Sequence, residues 1–439
     1  MLHLYSLLKQ YVTPRLRGTT AGALTAASVF QGSNYLVSLI TFPYLARTLG
    51  VEGFGILGLA TAITAYALLL TDWGFNFTAT QAAAHARADG GELNRLLWTT
   101  IGAKTVLGGF GAIFILLIAH LAIENTSLKV VLAISTVGIL GATLNVDWVL
   151  RGTEHLKQFS VASVTGRMTL IPLVYLLVHR QEDLLGAATA TVLSNLITAF
   201  LTFAAAWRLG LVRKPQTSFG EIRDQISNGW LIFASTAITN AYTNSLPIIL
   251  GSLSGNTQVG FFVGADRIRR PLQGIYTPIP MVFYPRINHV VKTDIGRAPS
   301  LCLRVLFIQS SLVLLVAAAS ALSAPLLVHL LLGPQFDGAV SVFRMLSGLI
   351  FFLGVHSVLG QLIMLPFGMR KEYTACLLGG AIIGVALAAP LSCMWGAGGM
   401  ALATLTAEAA VTTGMYVILA KRFSWIRFWN WRGTRWGKQ

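Results

Sequence analysis

Leu96-Leu-Trp-Thr-Thr-Ile-Gly-Ala-Lys104-Thr-Val-Leu-Gly-Gly-Phe-Gly-Ala-Ile-Phe-Ile-Leu-Leu-Ile-Ala-His120 carries a single formal charge, Lys104, over 25 residues. Wound as a helix at about 1.5 Å per residue, it outreaches the roughly 30 Å hydrocarbon core of a bilayer. One such run also fits inside a large soluble core. Here it recurs. Comparable stretches lie at about 20–45, 54–77, 128–150, 159–179, 184–207, 227–251, 258–285, 300–323, 340–366, 373–394 and 397–420. Those at 128–150, 159–179 and 258–285 are interrupted by charges or prolines. The pattern predicts an all-α polytopic membrane protein of about twelve transmembrane helices, joined by short connections.

Composition agrees. Of 439 residues only 11% are charged and 54% are hydrophobic, against roughly 25% charged in soluble domains. The mean hydropathy is +0.68. The 43 glycines follow no period, and Cys302, Cys376 and Cys393 show no Cys-x-x-Cys spacing, so neither a collagen repeat, a disulfide scaffold nor a zinc site is indicated. Gly53-Phe-Gly55-Ile-Leu-Gly58 matches a dinucleotide fingerprint in letters alone, since it lies between two apolar runs rather than after a strand. No cofactor is expected. No soluble catalytic domain fits between the spans, so an enzyme is not expected either.

The formal charge of +16 would suggest nucleic acid were it gathered on one surface. It is not. With the N-terminus inside, nearly all loop Lys and Arg fall on the cytoplasmic side, from Lys9, Arg15 and Arg17 through Arg213 and Lys214 to Arg370 and Lys371. External loops and their edges hold only Arg47, Lys129 and Arg180. The positive-inside rule therefore predicts both termini in the cytoplasm. Residues 1–19 read as an amphipathic start. In the tail, 421–439, Trp425, Trp429, Trp431 and Trp436 alternate with Arg422, Arg427, Arg432, Arg435 and Lys438, the pattern of an anchor on anionic membrane lipid.

An internal echo joins Pro43-Tyr-Leu-Ala-Arg-Thr-Leu-Gly-Val-Glu-Gly-Phe-Gly55 to Pro247-Ile-Ile-Leu-Gly-Ser-Leu-Ser-Gly-Asn-Thr-Gln-Val-Gly260. It predicts two six-helix bundles, 20–207 and 227–420, linked by a cytoplasmic connector at 208–226 and related by an axis along the membrane normal. Each bundle opens with a polar helical stripe: Gln31, Asn34, Ser38 and Thr41 in one, Thr236, Asn240, Thr243 and Asn244 in the other. Such faces either hydrogen-bond between helices or line a central wet cavity.

Asp266, Arg267, Arg269 and Arg270 fall about 12–18 Å into the eighth span by helical rise. Asp266 and Arg270 are spaced to pair, and Arg267 shares a face with Arg270. Pairing cancels one positive charge of three. Lys104 and Arg167 add basic groups inside other spans, whereas Arg304 and Arg344 sit close enough to span ends to snorkel. Asp147 and Arg151 are spaced as a structural pair. Glu408, mid-span and without a charged residue within four positions, is either a proton-coupling carboxyl, with Asp266 as second candidate, or a neutral hydrogen-bonded core residue. Excess positive charge on polar walls suits an anionic substrate, and arginine forks match phosphate or diphosphate.

Phe30-Gln-Gly-Ser-Asn34, Thr41-Phe-Pro-Tyr-Leu-Ala-Arg-Thr-Leu-Gly-Val-Glu-Gly-Phe-Gly55 and Thr71-Asp-Trp-Gly-Phe-Asn-Phe-Thr-Ala-Thr80 resemble the opening of Wzx-type O-antigen repeat-unit flippases. These belong to the polysaccharide transporters of the multidrug/oligosaccharidyl-lipid/polysaccharide exporter superfamily. Leu331-Leu-Gly-Pro-Gln-Phe-Asp337 and Leu359-Gly360-Gln361-Leu362 are similar to later family segments. The resemblance implies two bundles, alternating access, and a polyprenyl-diphosphate-linked oligosaccharide moved outward across the bacterial inner membrane, with polysaccharide assembly proteins as further partners. Proton or ion coupling is implied by the superfamily and fixed by no motif. Pro43, Gly50, Gly53, Gly55, Asp72 and Gly74 match as architectural positions. A drug or metabolite antiporter of the same superfamily would favour acidic groups for cationic cargo. A flippase for peptidoglycan precursors usually carries about two further spans. A polytopic glycan polymerase would need a sizeable external loop, and the longest here, near 324–339, has one acidic residue, Asp337.

Overall fold

The computed structural model describes residues 19–423. The amphipathic start and the tryptophan-rich tail lie outside the described residues. Among the described residues all regular structure is helical: α1 (Thr19–Asp72), α2 (Phe75–His85), α3 (Gly90–Leu121), α4 (Thr126–Leu144), α5 (Asp147–Gly152), α6 (Leu156–Met168), α7 (Leu170–Leu177), α8 (Leu184–Arg208), α9 (Phe219–Ser254), α10 (Asn256–Gln273), α11 (Pro278–Thr293), α12 (Ala298–Leu322), α13 (Ala324–Leu331), α14 (Gly338–Ser357) and α15 (Arg370–Arg422).

Among the described residues, eight helical stretches are long and apolar enough to cross a membrane. Two of them are pairs of helices joined at a glycine, α1 at Gly50 and α15 at Gly396. Counting each pair as two gives ten, and α9 with the α10–α11 pair brings the number to the expected twelve. These last two are less apolar for a visible reason: α9 carries the stripe of Thr236, Asn240, Thr243 and Asn244 along its middle, and α10 carries the Asp266–Arg270 charges. The three interrupted spans are broken helices, at Asn145–Val146, at Thr169 and at 274–277. The last break precedes Pro278, which begins α11 where its missing N–H costs nothing.

Gly50 has φ 71° and ψ 179°, and Gly255, its counterpart in the echo, has φ 83° and ψ 171°. Both lie in the left-handed half of φ space that glycine enters without a Cβ clash. Each starts a helix that brings a second glycine, Gly55 or Gly260, five residues on. The short sequence match thus corresponds to a repeated backbone turn.

By compactness the chain divides into two units, one running to Leu49 and including Ala60–Asn244, the other comprising Gly50–Leu59 and the residues from Ser245 onward. In the first, Phe75, Leu93, Leu97, Trp148 and Leu150 are fully buried. Trp73 adopts a positive φ of 46°. Its ring stacks on Phe233 at 4.0 Å, and its Nε1–H donates to the Ile226 carbonyl at 2.7 Å. These contacts hold a conformation that a bulky residue otherwise avoids. In the second unit Phe336, Phe343, Leu346 and Ile350 form the core, and α14 runs into a π-helical turn, Val358–Met364.

Phe110, Leu121, Phe200, Leu315 and Leu322 remain exposed. Lipid tails are as apolar as these side chains, so burial supplies little drive between helices and close packing of small residues must hold them. Gly111 against Ala67 and Gly166 against Thr198 leave no room for a β-carbon. Outside the spans, the backbone N–H groups of His179 and Arg180 both donate to Asp183 at the start of α8, which holds that carboxyl below its usual range.

Candidate functional site

The charge cluster of the second unit forms on one turn of α10. Asp266 Oδ1 accepts from Arg269 Nε at 2.9 Å and Nη2 at 2.6 Å, while Oδ2 accepts from Arg270 Nε at 2.6 Å. One carboxylate therefore anchors two guanidinium groups. The i, i+4 pair read from spacing is present, joined by an i, i+3 pair to Arg269 that the spacing argument had not singled out. The side chain of Arg269 is 10% exposed and that of Arg270 64%. Arg269 keeps its Nη1 buried, without a hydrogen bond among the described residues. Arg267 lies over the ring of Phe54 at 5.3 Å, a cation–π contact. Arg270 is thus the cation of this cluster most open to an anion, and Arg269 the one fixed to its scaffold.

The first unit buries a second network. Lys104, on α3, is 4% exposed, with Asp72 and Asp147 as the carboxylates acting on it electrostatically. Asn76 bridges them to a further cation: its Nδ2 donates to Asp72 at 2.6 Å, and its Oδ1 accepts from Arg151 at 2.9 Å. Arg151 also pairs with Asp147 at 3.2 Å and lies 5.6 Å from the Phe159 ring centroid. Asp72, read from sequence as architectural, belongs to this network.

The other expected positions are dispersed. Arg167 is exposed near the end of α6. Asn34 is half-buried, and its Oδ1 accepts no hydrogen bond among the described residues. Asn240 is exposed and returns its amide to the Thr236 carbonyl at 2.8 Å. The polar stripes are partly spent inside their own helices, for Thr41 and Thr236 donate to carbonyls one turn back.

Glu408 is not solitary. Its Oε2 lies 3.3 Å from His356 Nδ1, and both side chains are largely buried, at 17% and 13% exposure. A 52-residue separation hid the pair from any local reading. His356 also lines a groove of about 770 Å³ within the second unit, together with Gln273, Tyr276, Tyr284, Gln361 and Tyr373. The neighbouring Ser357 accepts from Gln309 Nε2 at 2.7 Å and donates to the Gly354 carbonyl. The sequence reading missed this groove. The available signal was the cluster of amide and phenol side chains in otherwise apolar runs around 273–284 and at Gln361.

Residues 23–291 match the model of a family described as "Polysaccharide biosynthesis protein". A protein of Escherichia coli (strain K12), provisionally named an O-antigen transporter, is 32% identical over 398 residues, covering 89% of this chain and 94% of that one. The chain belongs to this family, that of the Wzx-type flippases. A second relative, from Shigella dysenteriae and named in the same way, is 25% identical over 396 residues, covering 88% of this chain and 96% of that one. The fold of this Wzx-type family member is similar to two groups of solved transporters. An inward-facing multidrug MATE transporter superposes with a TM-score of 0.72 at 16% identity, covering 92% of this chain and 99% of that one. The lipid II flippase MurJ gives 0.68 at 12% identity, covering 90% of this chain and 87% of its own.

Proposed function

We propose that this protein is a flippase, not an enzyme. It carries a polyprenyl-diphosphate-linked oligosaccharide unit across the bacterial inner membrane, by alternating access, for O-antigen or other surface polysaccharide synthesis. The observation that carries the reading is the extended similarity to the Escherichia coli relative, over nearly the full length of both chains. The cluster on α10 supports it chemically. A diphosphate needs guanidinium donors held in place, and Asp266 holds Arg269 and Arg270 while leaving Arg270 exposed.

In this reading Arg267, Arg269 and Arg270 receive the diphosphate, with Lys104 and Arg167 adding positive potential and Asn34 and Asn240 offering polar contacts. Glu408 and Asp266 are the coupling candidates. Asp266 is committed to two arginines, so the Glu408–His356 pair is the better carrier: one proton fewer or more changes its charge without dismantling an ion-pair cluster. Both termini face the cytoplasm, and later assembly proteins take over the delivered unit.

The test is genetic and chemical. A deletion strain should lose its surface polysaccharide and accumulate lipid-linked units on the cytoplasmic leaflet, and the plasmid-borne chain should restore both. Normal surface glycan in the deletion strain would end the proposal.

A further inference from the structure

The groove of the second unit differs in chemistry from the arginine cluster. Among its lining residues there is no Lys, Arg or Asp. Its only ionisable lining groups are His356, paired with Glu408 behind it, and the phenols of Tyr276, Tyr284 and Tyr373. A phosphate would find no fixed positive charge there. What the groove does offer is uncommitted hydrogen bonding: among the described residues, the side chains of Gln273, Gln361, Tyr276, Tyr284 and Tyr373 make no hydrogen bond to protein. Amides and phenols both donate and accept, which suits a neutral polyhydroxyl ligand.

The walls are built to hold those groups still. Glu408 fixes the His356 ring from behind, leaving Nε2 for a ligand. Gln309, fully buried, fixes Ser357 and the Gly354 carbonyl. The π-helical turn Val358–Met364 carries Gln361 to the surface, and such turns are frequent at functional sites. Gly360 lacks the β-carbon that would strike the Tyr373 ring, so the phenol lies against the helix backbone. A volume of about 770 Å³ falls within the roughly 300–1,000 Å³ of ordinary ligand sites.

Position ties the groove to the cluster. Gln273 stands three residues beyond Arg270 on α10, so the two are neighbours on one helix face, about 4.5 Å apart along the axis. In a lipid-linked glycan the first sugar is bonded directly to the diphosphate. We infer that the groove of the second unit binds the sugar rings of the cargo. The first sugar sits by Gln273 and Tyr276, next to the diphosphate at Arg270, and the outer sugars extend toward Tyr284, Gln361 and Tyr373. Tyrosine faces cover the apolar faces of the rings while the amides and His356 meet their hydroxyls. This inference rests on the transport reading above and makes the second unit the place where one glycan is distinguished from another.

The experiment uses the full-length chain in its native membrane, with a photo-crosslinking benzoylphenylalanine at Gln361, at Tyr284 and, as a lipid-facing reference, at exposed Leu322. Mild acid cleaves the sugar–diphosphate bond. Adducts at Gln361 and Tyr284 should therefore retain sugar after acid, detected by periodate staining, whereas the Leu322 adduct should contain only phospholipid. Sugar-free adducts at both groove positions, or no adduct there, would overturn the inference. In parallel, Gln361→Ala and Tyr284→Ala should each weaken binding of the lipid-linked oligosaccharide about tenfold, a loss of about 1.4 kcal/mol, and leave binding of sugar-free polyprenyl diphosphate unchanged. Equal loss for both ligands would also overturn it. If the wild-type chain binds neither ligand, the transport reading itself fails. If it binds both and the groove variants behave as wild type, only the present inference fails.

Discussion

Gly55 and Gly260 lie against each other's helix. A β-carbon on Gly55 would land on the carbonyl oxygen of Asn256, and one on Gly260 on the carbonyl oxygen of Val51. The two glycines are the end points of the internal echo, and the helical starts that follow Gly50 and Gly255 cross at this pair inside the second unit. Val263 packs on Gly58 and Phe54 against Phe336, so the crossing continues as a close seam of small and aromatic residues.

Gly55→Ala should therefore cost stability, since overpacking in a tight contact costs typically about 1–3 kcal/mol. Gly109→Ala, in mid-helix with open space around it, should be neutral or slightly stabilising by helix propensity. Melting of the purified protein in detergent compares the two. Equal melting temperatures would mean that the seam yields without cost.

Replacing both Arg267 and Arg270 with Gln should abolish surface polysaccharide with insertion and abundance unchanged. Arg269→Gln should instead lower abundance, because removing one partner of a buried pair costs about 3–5 kcal/mol. Surface glycan staining beside membrane immunoblots separates the outcomes. Normal glycan in the Arg267/Arg270 double variant would remove both residues from cargo binding.

Coupling is tested in proteoliposomes with an imposed pH gradient. The gradient should accelerate glycan-lipid transport by the native chain and have no effect on Glu408→Gln. His356→Gln should weaken the acceleration, because the carboxyl loses the group it lies 3.3 Å from. Equal acceleration of native chain and Glu408→Gln would exclude Glu408 as the coupling group. Acceleration of neither would leave withdrawal of product by later assembly steps to give direction.

Reporter fusions after Gly220 and Gly437 should register the cytoplasm, and one near Asn256 the exterior. An external signal at Gly437 would refute the even number of crossings.

The class of this protein was legible from hydropathy alone, because a bilayer demands about 20 apolar residues per crossing and nothing else in the chain hides that period. Gly50 and Gly255 were legible as an echo because their backbone torsions admit little but glycine. The Asp266–Arg270 pair followed from helical spacing, which fixes neighbours three and four residues away. The reach of such reasoning ends at one helix. Whether Arg269 or Arg267 turns toward Asp266 depends on Phe54, more than two hundred residues earlier, which draws Arg267 onto its ring. The partner of Glu408 is His356, on a different helix. The groove gathers Gln273, His356 and Tyr373 from α10, α14 and α15. Local rules of rise and turn settle which side chains share a helix face. Which faces then meet is decided by the close approach of whole helices, a property of tertiary packing that one-dimensional spacing does not carry.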